Sequence, residues 1–321
     1  MKSLKLKINL TLISFLSLLL LSSCEQIVDI ELGDYPTTPS PKLLLRPSAE
    51  QFLFLGWAGG LNETEEFELP DNAIITITDQ DGISQSINFF STIEGSFQGY
   101  MYGDYECIYK PALLFPTPGN KYDLKIELPN YPVITSSITY PTQPTDLNVT
   151  INSVVEDPEE GGYMVSTDVS FTSASNETEY YELIAYSSEL DTVEISSLGL
   201  QYLEPLNEYI LGFESNSLSN NEDEWRETIL FNDAAFSGDD ISFNFKLKVW
   251  SNYDNGEYVL PTIAVELRHV TESYYHYIRS LRKQEQVAND PFSEPVLVYN
   301  NIINGKGIFS GYSNKFVVLE P

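Results

Sequence analysis

The sequence predicts an all-β chain of two β-sandwich domains, immunoglobulin-like or transthyretin-like, the second carrying a single C-terminal helix. Three observations predict it. Short runs with period-two alternation recur along most of the chain, as in Ala73-Ile-Ile-Thr-Ile-Thr78 and Phe243, Phe245, Leu247, Val249. Turn signals separate them: Asp81-Gly82, Pro118-Gly119, Asn255-Gly256 and Asn304-Gly305. The period changes to a helical one only once, between Thr271 and about Ala288.

The elements follow in order. Ile83 to Phe89 pairs with Ala73–Thr78 around the Asp-Gly turn, and Gly95 to Tyr100 is a Gly-and-aromatic segment. Lys121 to Ile126 and Val133 to Tyr140 are further strands, ending at Pro141. Pro141-Thr-Gln-Pro144 makes the domain boundary, because two prolines in four residues suit an extended connector, and gives domains at 43–141 and 145–321. The second domain opens with Leu147-Asn-Val-Thr-Ile151, followed by the alternating Val165–Phe171 and by Tyr180–Tyr186. Residues 190–240, polar and acidic, are expected as long loops. Thr262–Arg268 is a strand. In the helix that follows, Tyr274, Ile278, Leu281 and Tyr277 share one side and Arg279, Arg282 and Lys283 lie on or near the other. Thr271 or Ser273 caps its start, and Asp290-Pro291 ends it. Val296–Tyr299 and Gly307–Tyr312 are expected as closing strands.

The first 24 residues give an address. Three lysines (Lys2, Lys5, Lys7) precede an apolar run from Ile8 to Leu21, closed by Leu21-Ser-Ser-Cys24. That is a secretory signal at 1–23 with a lipobox, the run being shorter than the roughly 20 residues a spanning helix needs. Cys24 is then the first mature residue and the lipidation site. Residues 24–42, with Pro36, Pro39 and Pro41 among acids and Ser/Thr, are expected as a flexible tether. Removing the signal takes away three lysines and no acids, leaving 14 basic and 47 acidic side chains and a formal charge of −33. Such a surface excludes nucleic acid and anionic headgroups as ligands. Cys107 alone remains after Cys24, so no disulfide forms within the mature chain, and Cys107 is expected in the core.

No catalytic or metal-binding constellation stands out. His-Glu-x-x-His, Cys-x-x-Cys and Gly-x-Ser-x-Gly are all missing, and His269 and His276 fall on a strand and a helix. Asp79-Gln-Asp-Gly82 is read as a turn ahead of an ion site. No cofactor or metal is expected. Two surface features remain. Trp225 sits in Asn221-Glu-Asp-Glu-Trp-Arg-Glu227, poorly placed for a core and suited to anchor a sugar, a peptide or a partner protein. Arg279, Arg282 and Lys283 gather basic charge around the helix of an acidic chain, either as a docking patch or as salt bridges to the protein's own acids.

The chain resembles the lipoproteins of the domain of unknown function "four-two-four-nine". The resemblance is carried by Cys24-Glu-Gln-Ile-Val-Asp-Ile, Pro118-Gly-Asn-Lys-Tyr-Asp-Leu and the Phe231-Asn-Asp233 to Gly238 segment. Most distinctive is Val265-Glu-Leu-Arg-His-Val-Thr-Glu-Ser-Tyr-Tyr-His-Tyr277, continued by 289–296 and 304–312. It implies an outer-membrane lipoprotein, often encoded near TonB-dependent β-barrel receptors, with no enzyme activity and no site residues to carry over. The expected function is therefore non-enzymatic. The chain would be anchored through Cys24 at the outer membrane, facing the cell surface, and would serve a β-barrel transporter by capturing or docking a ligand. The alternative is a structural subunit of an outer-membrane assembly or a surface adhesin.

Overall fold

The computed structural model describes residues 37–48, 50–59, 69–94, 105–157, 162–173, 177–188, 200–205, 214–218, 226–236, 240–250, 252–254, 257–260, 262–288, 294 and 296–319. Their strands are β1 (Thr38–Leu45), β2 (Leu53–Ala58), β3 (Ile74–Asp79), β4 (Ser84–Glu94), β5 (Tyr105–Pro111), β6 (Lys121–Glu127), β7 (Ile134–Thr139), β8 (Thr145–Asp157), β9 (Gly162–Thr172), β10 (Tyr180–Ser188), β11 (Leu200–Pro205), β12 (Glu214–Leu218), β13 (Arg226–Asn232), β14 (Asp240–Trp250), β15 (Asn252–Asp254), β16 (Glu257–Val259) and β17 (Thr262–Val270). The helix α1 (Glu272–Ala288) and β18 (Ile308–Leu319) close the chain. The all-β class with one C-terminal helix is thus what the residues form. No described helix is long and apolar enough to cross a membrane.

In the first half, alternation decides the inner face. Ile75 and Ile77 of β3 and Tyr122, Leu124 and Ile126 of β6 are buried, while Lys121, Asp123 and Lys125 of β6 stand in solvent. β4 changes partner along its length. Its start pairs with β3 (Ile75↔Ile87), and beyond a bulge between Phe89 and Ser91 it continues along β5 (Ser91↔Ile108). The sheet folds over at this corner. One core then holds Leu43, Leu55 and Tyr109 together with Ile77, Leu124 and Ile134. The opposite side is stitched by the turn before β18: Thr135 and Ile303 exchange backbone hydrogen bonds, and Lys306 N donates to Pro39 O at 2.9 Å. Gly307 belongs to this stitch. A Cβ there would lie 2.0 Å from Pro41 O, so no other residue fits without moving β1.

In the second half, β11-β14-β9-β8 forms a four-stranded sheet lying over β13-β10-β17-β18. Val165, Val169, Phe171, Phe243, Phe245 and Leu247 from the first sheet meet Leu183, Phe231, Val265 and Leu267 from the second. Its central strands β10 and β17 are buried on both faces, because α1 covers the other side with Tyr274 and Ile278. The order is sheet, sheet, helix. β18 belongs to both halves: it runs antiparallel to β17 and parallel to β1, with Lys42 opposite Ile308. Phe309 joins the first core and Leu319 the second. All described residues accordingly lie in one unit, Thr37–Gly59 with Thr64–Pro321.

The connector Pro141–Pro144 is strapped down. His269 Nδ1 and Ser313 Oγ both bond Thr142 O, Gln143 Nε2 donates to Asn314 O, and Tyr140 Oη donates to Tyr312 O at 2.6 Å.

Three expectations differ from what is seen. β1 begins at Thr38, inside the 24–42 stretch expected as tether. Pro39 and Pro41 sit on the part of β1 that pairs with β2 alone, where a missing N–H costs no ladder bond. Residues 190–240, expected as loops, include β11, β12 and β13, and Ile229 and Phe231 of β13 are core residues. Val296–Tyr299 is not a strand: Tyr299 N is taken by Ser280 Oγ of α1, and Leu297 is 91 % exposed. Gly95–Tyr100, the Asn255-Gly256 turn and residues 1–36 lie outside the described residues.

Candidate functional site

The site is built around α1. Thr271 is its N-cap: Thr271 Oγ1 accepts from Tyr274 N at 3.2 Å and from Gly311 N at 3.3 Å, tying the helix start to β18. Ser273 Oγ donates to Phe309 O at 3.1 Å, a second tie to the same strand.

Beneath the helix lies a buried ionic cluster. Glu182 of β10 and Arg268 of β17 are directly opposed, and Arg268 Nη1 donates to Glu182 Oε2 at 3.0 Å. Arg268 Nη2 donates to Glu266 Oε2 at 2.9 Å, and the guanidinium lies 4.4 Å from the centroid of Tyr312. From the helix, Tyr274 Oη donates to Glu182 Oε2 at 2.9 Å, and Asn314 Nδ2 donates to Glu266 Oε1 at 2.5 Å. Among the described residues the other oxygen of Glu182 has no hydrogen-bond partner. This cluster fixes the helix on its sheet. Its charges face one another within the fold.

Arg282 lies on this same inner side. It is 2 % exposed, and Nη2 donates to Thr228 Oγ1 at 2.6 Å. It therefore offers no surface for docking. The reason is helical period: Arg282 falls four residues after Ile278 and eight after Tyr274, on the stripe that packs against the sheet. Lys283, one residue on, is exposed. Arg279 is half-buried, 5.9 Å above the Tyr275 ring. Cys24 and Trp225 lie outside the described residues.

The outer side of the first two turns carries a cluster of a different kind. Tyr180 of β10 packs on Tyr275 at 4.8 Å between ring centroids and on His276 at 5.9 Å, and Tyr299 lies against His276 at 5.5 Å. Glu272 is central to it: Oε1 is 3.4 Å from Tyr180 Oη, which donates to it, and 3.5 Å from His276 Nε2. Burial first, then the Glu272 charge and its hydrogen bond, push the Tyr180 phenol up. Burial and Glu272 do the same to Tyr299. His276 and Glu272 remain open to solvent, their side chains 39 % and 67 % exposed.

Of the residues that stand out in the sequence, the structure brings Arg279 to this cluster and Lys283 to the same helix face, and places Arg282 beneath. Tyr180, Glu272, His276 and Tyr299 do not stand out there as a site. His276 suggests itself only as a partner for His269, which the fold sends to the opposite face, onto Tyr181, Thr142 and Glu179. A usable signal is present in Glu272 and His276, four apart at the start of a helix, beside the distinctive Tyr274-Tyr-His-Tyr277 run. Tyr180 and Tyr299 are brought in by the fold alone.

A family model described as "Domain of unknown function (DUF4249)" matches residues 45–315. No curated protein is matched. Among solved structures, "Biofilm associated protein - B domain" is 10 % identical with a TM-score of 0.20, covering 87 % of this chain and 85 % of that one. "Yeast delta-COP-I mu-homology domain complexed with Dsl1 WxWxV peptide" is 8 % identical with a TM-score of 0.22, covering 87 % and 93 %.

Proposed function

Starting from a chain that belongs to the DUF4249 family, we propose that it is a non-enzymatic, lipid-anchored accessory of an outer-membrane β-barrel, a TonB-dependent transporter. The observation that carries this reading is the apolar run Ile8–Leu21, closed by Leu21-Ser-Ser-Cys24 ahead of an acidic β-body. A lipid on Cys24 holds the body at the membrane, where tethering raises the effective concentration of any docking partner. The outer face of α1 supports docking: Lys283 and Arg279 present positive charge there, on a chain whose overall charge is strongly negative. Mild crosslinking in cells followed by purification with the anchor intact should recover a β-barrel, and recovery of no membrane protein overturns the reading. Cys24→Ala should move the protein out of the membrane fraction with its fold unchanged.

One observation favours the alternative of a structural subunit or adhesin. Phe90 is exposed, and with Phe52 it flanks the Lys110 ammonium at 5.8 and 5.3 Å; Leu113 and Phe115 are exposed shortly beyond β5. Under that reading Phe90→Ser weakens assembly, whereas under the transporter reading Lys283→Glu does.

A further inference from the structure

We propose that Glu272, His276 and Tyr180 form a ferric-ion site at the start of α1, with the Tyr299 ring packed against His276. Such a site is independent of the docking role and exists whether or not a barrel is the partner.

Three donors of three kinds converge. Glu272 Oε1 is within 3.4 Å of Tyr180 Oη and within 3.5 Å of His276 Nε2. In an octahedron with bonds of about 2.0–2.1 Å, adjacent donors stand about 2.9 Å apart. Drawing Glu272 Oε1 about half an ångström closer to each of the other two, less than a rotamer change on exposed side chains, brings both pairs to that spacing. His276 and Glu272 sit at i and i+4 spacing on one helix, a spacing that points two ligands the same way. Tyr180 comes from β10, and its ring is held by Tyr275 at 4.8 Å, so its oxygen is positioned before any ion arrives. The Tyr299 ring lies tilted against His276, 5.5 Å between centroids, and backs the imidazole.

The donor set selects the ion. Carboxylate and phenolate oxygens are hard anionic ligands, and one imidazole is tolerated by iron, copper and zinc alike. Phenolate is the discriminating donor: tyrosine is an established ligand of ferric iron. Its proton leaves for solvent as the Fe–O bond forms. A trivalent ion attracts two anionic oxygens more strongly than a divalent one. Three protein donors leave positions on the ion for water or for the oxygens of a small chelator. The chemical class expected is therefore ferric ion delivered as a weak oxygen chelate. No group of three or more His, Cys, Asp or Glu able to hold a metal occurs among the described residues, so a tyrosine is indispensable to this site.

The experiment is titration of the full-length protein in detergent with ferric nitrilotriacetate, followed by visible absorption. One equivalent should raise a phenolate-to-iron charge-transfer band. Tyr180→Phe should abolish it, Glu272→Gln should weaken binding roughly 10-fold or more, and Lys121→Ala, on β6 and outside the donor set, should leave it unchanged. Far-UV circular dichroism checks that each variant is folded. Glu272 is a solvent-exposed first-turn residue, so its variant remains informative if Tyr180→Phe fails to fold. Absence of the band in the wild type overturns the proposal, as does a band that survives both substitutions.

Discussion

Single atoms set the tolerances of this fold. At Gly307 the obstacle is Pro41 O, 2.0 Å from where a Cβ would sit, so Gly307→Ala must displace β1. The expected cost is about 2–4 kcal/mol, read from urea denaturation. Arg268 bridges two carboxylates that share its buried surroundings. Arg268→Met leaves Glu182 and Glu266 facing each other without a counter-charge, and about 3–5 kcal/mol should be lost by the same measurement. Tyr109 gives a pH dependence. Its hydroxyl donates to Pro70 O and accepts from Ala73 N, and burial pushes the phenol up from 10.0 to about 12. The unfolded chain releases this proton first. The stabilisation from Tyr109 is thus complete below about pH 10 and is lost as pH rises towards 12. A rise of that size is worth at most about 3 kcal/mol. Tyr140 and Tyr312, both raised mainly by burial, push the same way. Tyr109→Phe should therefore flatten the alkaline decline in denaturation midpoint without abolishing it, starting from a lower plateau.

Among the elements, α1 shows both the reach and the limit of pattern reading. Its bounds follow from Thr271 at the cap and from the return of Tyr274 and Ile278 at helical spacing, and the observed helix, Glu272–Ala288, agrees closely. Thr271→Ala should cost about 1–2 kcal/mol, since it removes the acceptor for Tyr274 N and a bond from Gly311. Arg282 is misplaced by pattern because a guanidinium reads as surface. Nothing local signals that β13 supplies Thr228 beneath it. β13 itself is hidden by its polar neighbourhood: Thr228 to Phe231 is a short apolar run in an acidic region, too brief for periodicity to separate strand from loop. The hairpin at Asp79–Gly82 is legible in full, because Asp79 Oδ1 accepts from Asp81 N and Ile83 N and Gly82 takes φ +80°, the backbone that an Asp-Gly pair favours. The tyrosine–histidine–glutamate cluster is legible only by half. Its helical members sit in one run, but Tyr180 lies 92 residues from Glu272 and meets it only because β10 and β17 pair.

At the scale of the whole molecule, composition and turn spacing are enough for an all-β body with two cores, since alternation reports which face of each strand is buried. They cannot report that one strand serves both cores. β18 places Phe309 in the first core and Leu319 in the second, and pairs with β1 and β17 at once. The two halves should therefore unfold together. Near-UV and far-UV circular dichroism should give superimposable urea transitions, with calorimetric and van't Hoff enthalpies equal. Two separated transitions contradict this. The parallel pairing of Lys42 with Ile308 has a further meaning for how the chain is made. Lys42 and Ile308 stand 266 residues apart, so β1 gains this neighbour only once that whole stretch of chain is in place. Closing so long a loop costs about 5 kcal/mol of chain entropy, and such distant pairing slows folding. A chain that lacks β18 has a first sheet that cannot be completed and exposes the edge of β1 to other strands and to proteases. Closure of the first core thus waits on a strand that the second core also holds.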